Sequence, residues 1–281
     1  AGIEIPHLCT QKGMEPYGAC RVCTVQIKEN NRTRLQASCT YPVSEGLEVS
    51  TAAPEVVKGR KIILELLLAR CPDVKELKDF AKKWGAPKTR FTSEITDDCI
   101  LCGLCVRACR DVVGAEALAF AGRGVSRQVD VPFGYHPESC VACGLCTYVC
   151  PTGKMQMESL TASNLRAASG TEKTCRYMLM GLVSSKTCPE NIECDTCPYD
   201  QFMETSLGTH PALVSGRKEK QEAHLSGPFI LEYRNGYSAN HTWARGINGV
   251  YMVGLDHFTA SLLPPVDSVE VKNGKIEVKA G

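Results

Sequence analysis

A chain of 281 residues with 43% hydrophobic content is long enough for more than one domain and apolar enough to bury a core in each. Its 32 basic and 31 acidic residues leave a formal charge of +1, which excludes the whole-chain electrostatic footprint of a nucleic-acid or anionic-membrane binder. The most apolar run, KIILELLLARC at 61–71, is interrupted by Glu65 and closed by Arg70, short of the roughly 20 apolar residues a membrane span needs, and no signal peptide is visible. Seventeen cysteines far exceed ordinary usage, and their C-x2-C runs suit metal ligation better than disulfides.

Residues 1–53 contain HLCTQKGMEPYGACRVCTVQI and LQASCTYPV, which space Cys9, Cys20, Cys23 and Cys39 as C-x10-C-x2-C-x15-C. Taken alone, four thiols at these intervals also fit a zinc site. The alternating stretches CTVQIKE and GLEVST, with a turn at Asn30–Asn31, predict a β-hairpin. Plant-type ferredoxins begin C-x4-C-x2-C, so the pattern reads as a relative with a longer first loop. The words YGACRVC and ASCTYPV resemble the N-terminal 2Fe-2S domain of the large iron-sulfur subunit of respiratory complex I, and related NAD-linked hydrogenase and formate dehydrogenase subunits. That resemblance implies a β-grasp domain with one 2Fe-2S cluster on Cys9, Cys20, Cys23 and Cys39. Members of that group carry a further N-terminal hairpin of roughly twenty residues, so this sequence is expected to be truncated.

Residues 54–92 read as a helical connector: PEVVKGRKIILELLLARCPDVKELKDFAKKWG predicts two helices divided at Cys71–Pro72, with Asp73 available to cap the second. The complex I group has an H-x3-C-x2-C-x5-C site after this position. Here it is missing, so the resemblance is to shorter members, no cluster is assigned, and Cys71 is expected to be a buried thiol.

In residues 93–160, Cys99, Cys102, Cys105 and Cys109 follow C-x2-C-x2-C-x3-C, and the run recurs 41 residues on as Cys140, Cys143, Cys146 and Cys150. CGLC occurs in both halves, so this is an internal duplication. Gly103 and Gly144 allow tight turns that aim amides at sulfur. The doubled run resembles bacterial ferredoxins with two 4Fe-4S clusters, in which the fourth Cys of each run crosses to the other cluster. The resemblance assigns Cys99, Cys102, Cys105 and Cys150 to one cluster and Cys140, Cys143, Cys146 and Cys109 to the other, against zinc or disulfides as alternatives. Cys109 is followed by Arg110 instead of Pro, so the local turn is expected to differ there. The interval ALAFAGRGVSRQVDVPFG predicts a strand-rich excursion.

Residues 161–205 bring Cys175, Cys188, Cys194 and Cys197, spaced C-x12-C-x5-C-x2-C, where a third 4Fe-4S cluster is preferred and zinc is the alternative. This segment and residues 206–281 resemble glycine-cleavage H-protein-like proteins of anaerobic bacteria, in which four cysteines precede a lipoyl-like β-domain. HTWARGINGVYMVGLDHFTASLL and SVEVKNGKIEVKAG carry that resemblance. The chain ends before a lipoate-bearing hairpin, so Lys272, Lys275 and Lys279 are expected to be unmodified.

His7, His136, His210, His241 and His257 stand singly, no catalytic triad emerges, and no G-x-G-x-x-G or P-loop marks an NAD, FAD or ATP site. Arg123 and Arg127 read as a solvated loop. The expected fold is α+β multidomain: a β-grasp 2Fe-2S domain, a helical connector, a two-cluster ferredoxin domain, a Cys-rich segment and a small β-rich module. The expected function is a non-catalytic, multi-cluster electron-transfer subunit of an anaerobic oxidoreductase, relaying electrons between a flavin- or NAD-linked partner and a second catalytic subunit. That subunit would be of hydrogenase, formate dehydrogenase, aldehyde oxidoreductase or disulfide reductase type, in a reducing cytoplasm. The rival reading is an assembly subunit whose clusters or zinc stabilise a docking scaffold.

Overall fold

The computed structural model describes residues 2–29, 32–131, 139–156, 174–183, 186–215, 224–226, 229–231, 236–247, 250–262, 266–272 and 275–280. The chain divides into two compact units, Ala1–Thr171 and Glu172–Gly281. Among the described residues no helix is long and apolar enough to cross a membrane.

The first unit starts with a three-stranded sheet of order β2-β1-β3, formed by β1 (Thr24–Glu29), β2 (Arg32–Ala37) and β3 (Glu48–Ser50). The predicted hairpin is present, with Thr24 opposite Ala37 and Glu29 opposite Arg32; its Asn30–Asn31 turn lies outside the described residues. Period-two alternation turns Val25 and Ile27 inward, each 1% exposed. On the solvent side Lys28 pairs with its register partner Glu48 at 3.2 Å, worth well under about 1 kcal/mol at that exposure.

Helix α1 (Pro54–Arg70) starts with Pro at its first turn, where no N–H is needed, and packs against β1 through buried Val56, Leu64 and Leu68. It stops at Cys71, whose φ of −120° suits the residue before a proline. Helix α2 (Lys75–Lys83) follows, burying Leu77 and Ala81 one turn apart. The expected Asp73 cap is not made: Val74 holds the N-cap position and no side chain bonds there, so the helix starts one residue later than the capping rule suggested. Cys71 is fully buried, and burial pushes its thiol up to about 12.

The duplicated run forms two short helices, α3 (Leu104–Arg107) and α4 (Leu145–Tyr148), each entered through a left-handed glycine, Gly103 at φ 73° and Gly144 at φ 77°. The repeat extends to strained positions, since Leu101 (φ 54°) and Ala142 (φ 48°), each two residues after the first Cys of its run, are also left-handed. The halves diverge where Arg110 replaces Pro: α3 runs into a π-helical turn, Ala108–Val113, while the second run turns at Cys150–Pro151. The excursion between them holds an antiparallel pair, β4 (Ala119–Ala121) and β5 (Gln128–Asp130).

The second unit begins with α5 (Arg176–Leu179), α6 (Pro198–Leu207) and α7 (Pro211–Ser215). Its β-rich tail comprises the pair β6 (His224–Ser226) and β7 (Phe229–Leu231), and a sheet of order β10-β9-β8 from β8 (Gly236–Tyr237), β9 (Thr242–Ile247) and β10 (Val250–Leu255). Helix α8 (His257–Leu262) and the pair β11 (Val266–Lys272) and β12 (Lys275–Ala280) complete it. These small, separate sheets make the chain a mixed α and β protein.

Candidate metal centres

Hairpin register explains the first cysteine group. Cys23 immediately precedes β1 and Cys39 lies two residues beyond β2, so pairing Thr24 with Ala37 places the two loops side by side, tied by Ser38 N–H to Cys23 O at 3.2 Å. Cys9, Cys20 and Cys23 are buried, and Cys39 sits in a 3-10 turn, Ser38–Thr40. The Cys20 amide donates to Cys9 Sγ at 3.4 Å. A side-chain hydrogen bond from Cys20 is the main reason that the Cys9 thiol falls to about 5; burial opposes this, while backbone amides and the Arg107 guanidinium assist. Cys20 is raised by the same bond and by burial. Cys39 is raised by burial and then by Cys23, so the four thiols pair as Cys9 with Cys20 and Cys23 with Cys39.

The doubled run sorts its eight thiols into two neighbourhoods that exchange their last members. Burial pushes Cys102 up to about 11 and Cys105 to about 12, and the fields of Cys99 and Cys150 act on both. Cys143 rises to about 12, and Cys146 rises too, through burial and then the fields of Cys140 and Cys109. Cys150 thus lies with the first run and Cys109 with the second. Amides point at sulfur as the left-handed turns require: Leu101 N–H donates to Cys99 Sγ at 3.4 Å and Ala117 N–H to Cys109 Sγ at 3.2 Å. Burial would raise Cys150, but the amides of Met155, Thr152 and Lys154 and the Thr152 hydroxyl, 3.6 Å away, bring it down. Cys102 also feels Cys9, so the first group and the Cys99 group are electrostatic neighbours.

In the second unit Cys175 N-caps α5, Cys194 starts a 3-10 turn and Cys197 N-caps α6, whose first residue is Pro198. Ile192 N–H donates to Cys188 Sγ at 3.1 Å. Cys175 feels Cys188 and Cys197; Cys194, pushed up to about 11 by burial, feels Cys188 and Cys175. Beneath them Arg176 is ion-paired to Asp200, which also accepts from Tyr177 Oη at 2.8 Å. Burial works against the Arg176 charge, but Cys194 and Asp200 hold its pKa raised.

The electrostatic interactions among these cysteines run chiefly within the four sets that the sequence spacing suggests. Among the described residues no three His, Cys, Asp or Glu side chains form a group that could hold a metal ion. The donor chemistry fits iron-sulfur clusters: four thiols per group, with backbone N–H groups directed at sulfur. Three features of these sites escaped the sequence reading: Arg107, which lies over the Tyr17 ring, Arg60, bonded to the carbonyls on either side of Cys23, and the Arg176–Asp200–Tyr177 network. Arg107 had a signal, because it occupies the place in the first run that Tyr148 holds in the second. His241, read as solitary, meets Asp256 with Nδ1 2.9 Å from Oδ2; His136 lies outside the described residues.

Part of the chain is similar to known proteins. A family described as a 2Fe-2S iron-sulfur cluster binding domain matches residues 1–54, and a 4Fe-4S dicluster domain matches residues 98–154. The chain is 32% identical over 178 residues to the alpha chain of the NADPH-Fe(3+) oxidoreductase of Geobacter sulfurreducens, covering 55% of this chain and 21% of that protein. It is 33% identical over 180 residues to a component of the NADH-quinone oxidoreductase of Rhizobium meliloti, with the same coverage. For the mitochondrial NADH dehydrogenase [ubiquinone] iron-sulfur protein 1 of Solanum tuberosum the identity is 28% over 153 residues, covering 46% of this chain and 20% of that protein. A crystal structure of an NAD+-reducing [NiFe]-hydrogenase aligns with TM-score 0.48 and 29% identity, over 56% of this chain and 76% of that one. The chain spans about a fifth of the length of the curated relatives it matches. Over roughly half its length, then, this chain is similar to iron-sulfur subunits of NADH- and NADPH-linked oxidoreductases, and it matches a 2Fe-2S domain model followed by a 4Fe-4S dicluster domain model.

Proposed function

We propose that this chain is the electron-relay subunit of an NADH-linked oxidoreductase complex. Cys9, Cys20, Cys23 and Cys39 hold a 2Fe-2S cluster, and the two crossed groups of the doubled run hold two 4Fe-4S clusters. When bound, these cofactors supply one-electron transfer. The chain's own residues hold them, space them, keep water off Cys9, Cys20 and Cys23, and direct amides at sulfur. The observation that supports the reading is that Cys150 acts on Cys102 and Cys105 while Cys109 acts on Cys143 and Cys146, the pattern a ligand crossover of a two-cluster ferredoxin would produce. The field of Cys9 at Cys102 supports an order in which the 2Fe-2S centre neighbours the Cys99 cluster, with the Cys140 cluster beyond.

In this reading the Cys175 group holds a third 4Fe-4S cluster, and the tail is an H-protein-like docking module. One end of the relay meets a flavin- or NAD-linked subunit and the other a second redox catalyst, in an anaerobic cytoplasm. Anaerobic iron, zinc and acid-labile sulfide analysis of the purified complex, normalised to this chain, tests the cluster set. About 14 iron without zinc fits four clusters, and about 10 iron with one zinc makes the Cys175 group structural. Iron below about 10 would defeat the relay in the doubled run or the N-terminal domain. Clusters that stay unreduced during partner turnover would leave a scaffold role instead.

A further inference from the structure

Two buried arginines flank the first cysteine group, one beside each thiol pair, and among the described residues neither meets a carboxylate. Arg107 of α3 is 5% exposed. Its Nη1 donates to Glu15 O at 2.6 Å and its Nη2 to Cys9 O at 2.8 Å, while its guanidinium lies 4.8 Å from the Tyr17 ring centroid. Arg60 of α1 is also 5% exposed. It donates to Val22 O at 3.3 Å, Thr24 O at 3.2 Å and Thr51 O at 3.4 Å, and lies 5.2 Å from the Trp84 ring. Among the described residues the ion pairs include neither, in contrast to Arg176, which meets Asp200.

A guanidinium keeps its proton at any ordinary pH, and burying one against carbonyls and an aromatic face alone is costly without a nearby negative charge. The groups each arginine shares its surroundings with are cysteines. Arg107 bonds the carbonyl of Cys9 itself, and Arg60 bonds the carbonyls of Val22 and Thr24 on either side of Cys23. Four thiolates around two ferric ions and two sulfides carry a net negative charge, which grows by one when an electron is added without a proton. A fixed positive charge nearby therefore stabilises the reduced form more than the oxidised one.

We propose that Arg60 and Arg107 are the counter-charges of the 2Fe-2S centre and hold it reducible by bringing two buried cations to its two thiol pairs. Arg107 has a second consequence, because it stands between Cys105 and Cys109 in the doubled run. Its charge is shared by the 2Fe-2S group and the dicluster helix, whereas that of Arg60 serves the first group alone. This inference rests on the relay reading above.

The test is a potentiometric titration of the full chain with dithionite, following the EPR signals of the reduced clusters in the parent and in R60Q, R107Q, R60K and R107K. The expected result is about a tenfold smaller ratio of reduced to oxidised 2Fe-2S centre at a fixed ambient potential in each Gln variant, or about 59 mV for a one-electron couple. The Lys variants should stay near the parent. The 4Fe-4S signals should hold their midpoints in R60Q and fall with the 2Fe-2S signal in R107Q. Loaded Gln variants with the parent 2Fe-2S midpoint would overturn the proposal. If the Gln variants fail to load iron, restoration of loading by Lys supports it, and failure of the Lys variants as well overturns it, because the hydrogen-bonding fork and not the charge would then be the requirement. A parent chain with no reducible 2Fe-2S signal would instead sink the relay reading itself, an outcome separate from any difference among variants.

Discussion

At the scale of single residues, the repeated left-handed turns make the sharpest predictions. Gly103 and Gly144 occupy matching positions, but an added Cβ at Gly103 would stand 3.3 Å from both Phe120 Cζ and Tyr17 Cε1, whereas Gly144 has open space. Gly144→Ala should therefore cost only the left-handed penalty of about 1–2 kcal/mol. Gly103→Ala adds displacement of two rings packed over the Cys99 group, so its visible cluster absorbance should be lost at a lower temperature than in Gly144→Ala. Equal losses would show that the rings yield freely. Cys71 gives a contrasting case: fully buried, and with its thiol pushed up to about 12, it should resist alkylation in the folded chain, and Cys71→Ala should leave the iron content unchanged. The C-x2-C spacing singled out the candidate cysteines, but the contacts of Arg107 and Arg60 were opaque because their partners are backbone carbonyls distant in sequence. A carbonyl has no residue type for a sequence reading to find.

At the scale of elements, strands and helices followed the alternation and the Pro and Gly signals, and departures arose where capping competes with packing. Helix α8 shows a cap that works: Asp256 precedes it and its Oδ1 accepts from Thr259 N–H at 2.8 Å, while Oδ2 meets His241. The Thr259 amide, with help from His241, holds the Asp256 carboxyl below the usual carboxylate value near about 3.9. A depressed folded pKa contributes stability above the unfolded value and loses it as pH falls through the folded one. Acidification below about pH 4 should therefore loosen the β9–β10–α8 corner. Trp243 reports on it, since its Nε1 donates to Leu255 O at 2.8 Å next to the cap. An emission change of Trp243 below that pH is expected in the parent and should be absent in Asp256→Asn, which keeps an acceptor but cannot titrate in this range. An identical acid transition in the variant would assign it to other carboxylates.

At the scale of the whole molecule, the chain forms two compact units, with the first three predicted segments in one, the last in the other, and the boundary falling within the fourth, 161–205. Helix α1 explains the merging: it packs on β1 and sends Arg60 into the 2Fe-2S domain, while Arg70 Nε, at its end, donates to Cys99 O at 2.8 Å in the dicluster domain. The connector is thus a spine with contacts at both ends. A chain ending at residue 171 should accordingly retain both kinds of cluster and about 10 iron, with the EPR midpoints of the longer chain. Shifted midpoints in the shortened chain would show that residues 172–281 tune the relay as well as extend it.

The sequence by itself determined the chemistry. Cysteine spacing selects metal thiolates, duplication sets the repeated pair of sites, and YGACRVC with ASCTYPV marks the kinship of the N-terminal domain, because ligand type and interval are local properties of a chain. Tertiary structure alone decided which cysteine run stands next to which, and which charges lie against them. Those depend on contacts between residues such as Arg107 and Cys9, nearly a hundred positions apart, which only the folded chain brings within 2.8 Å.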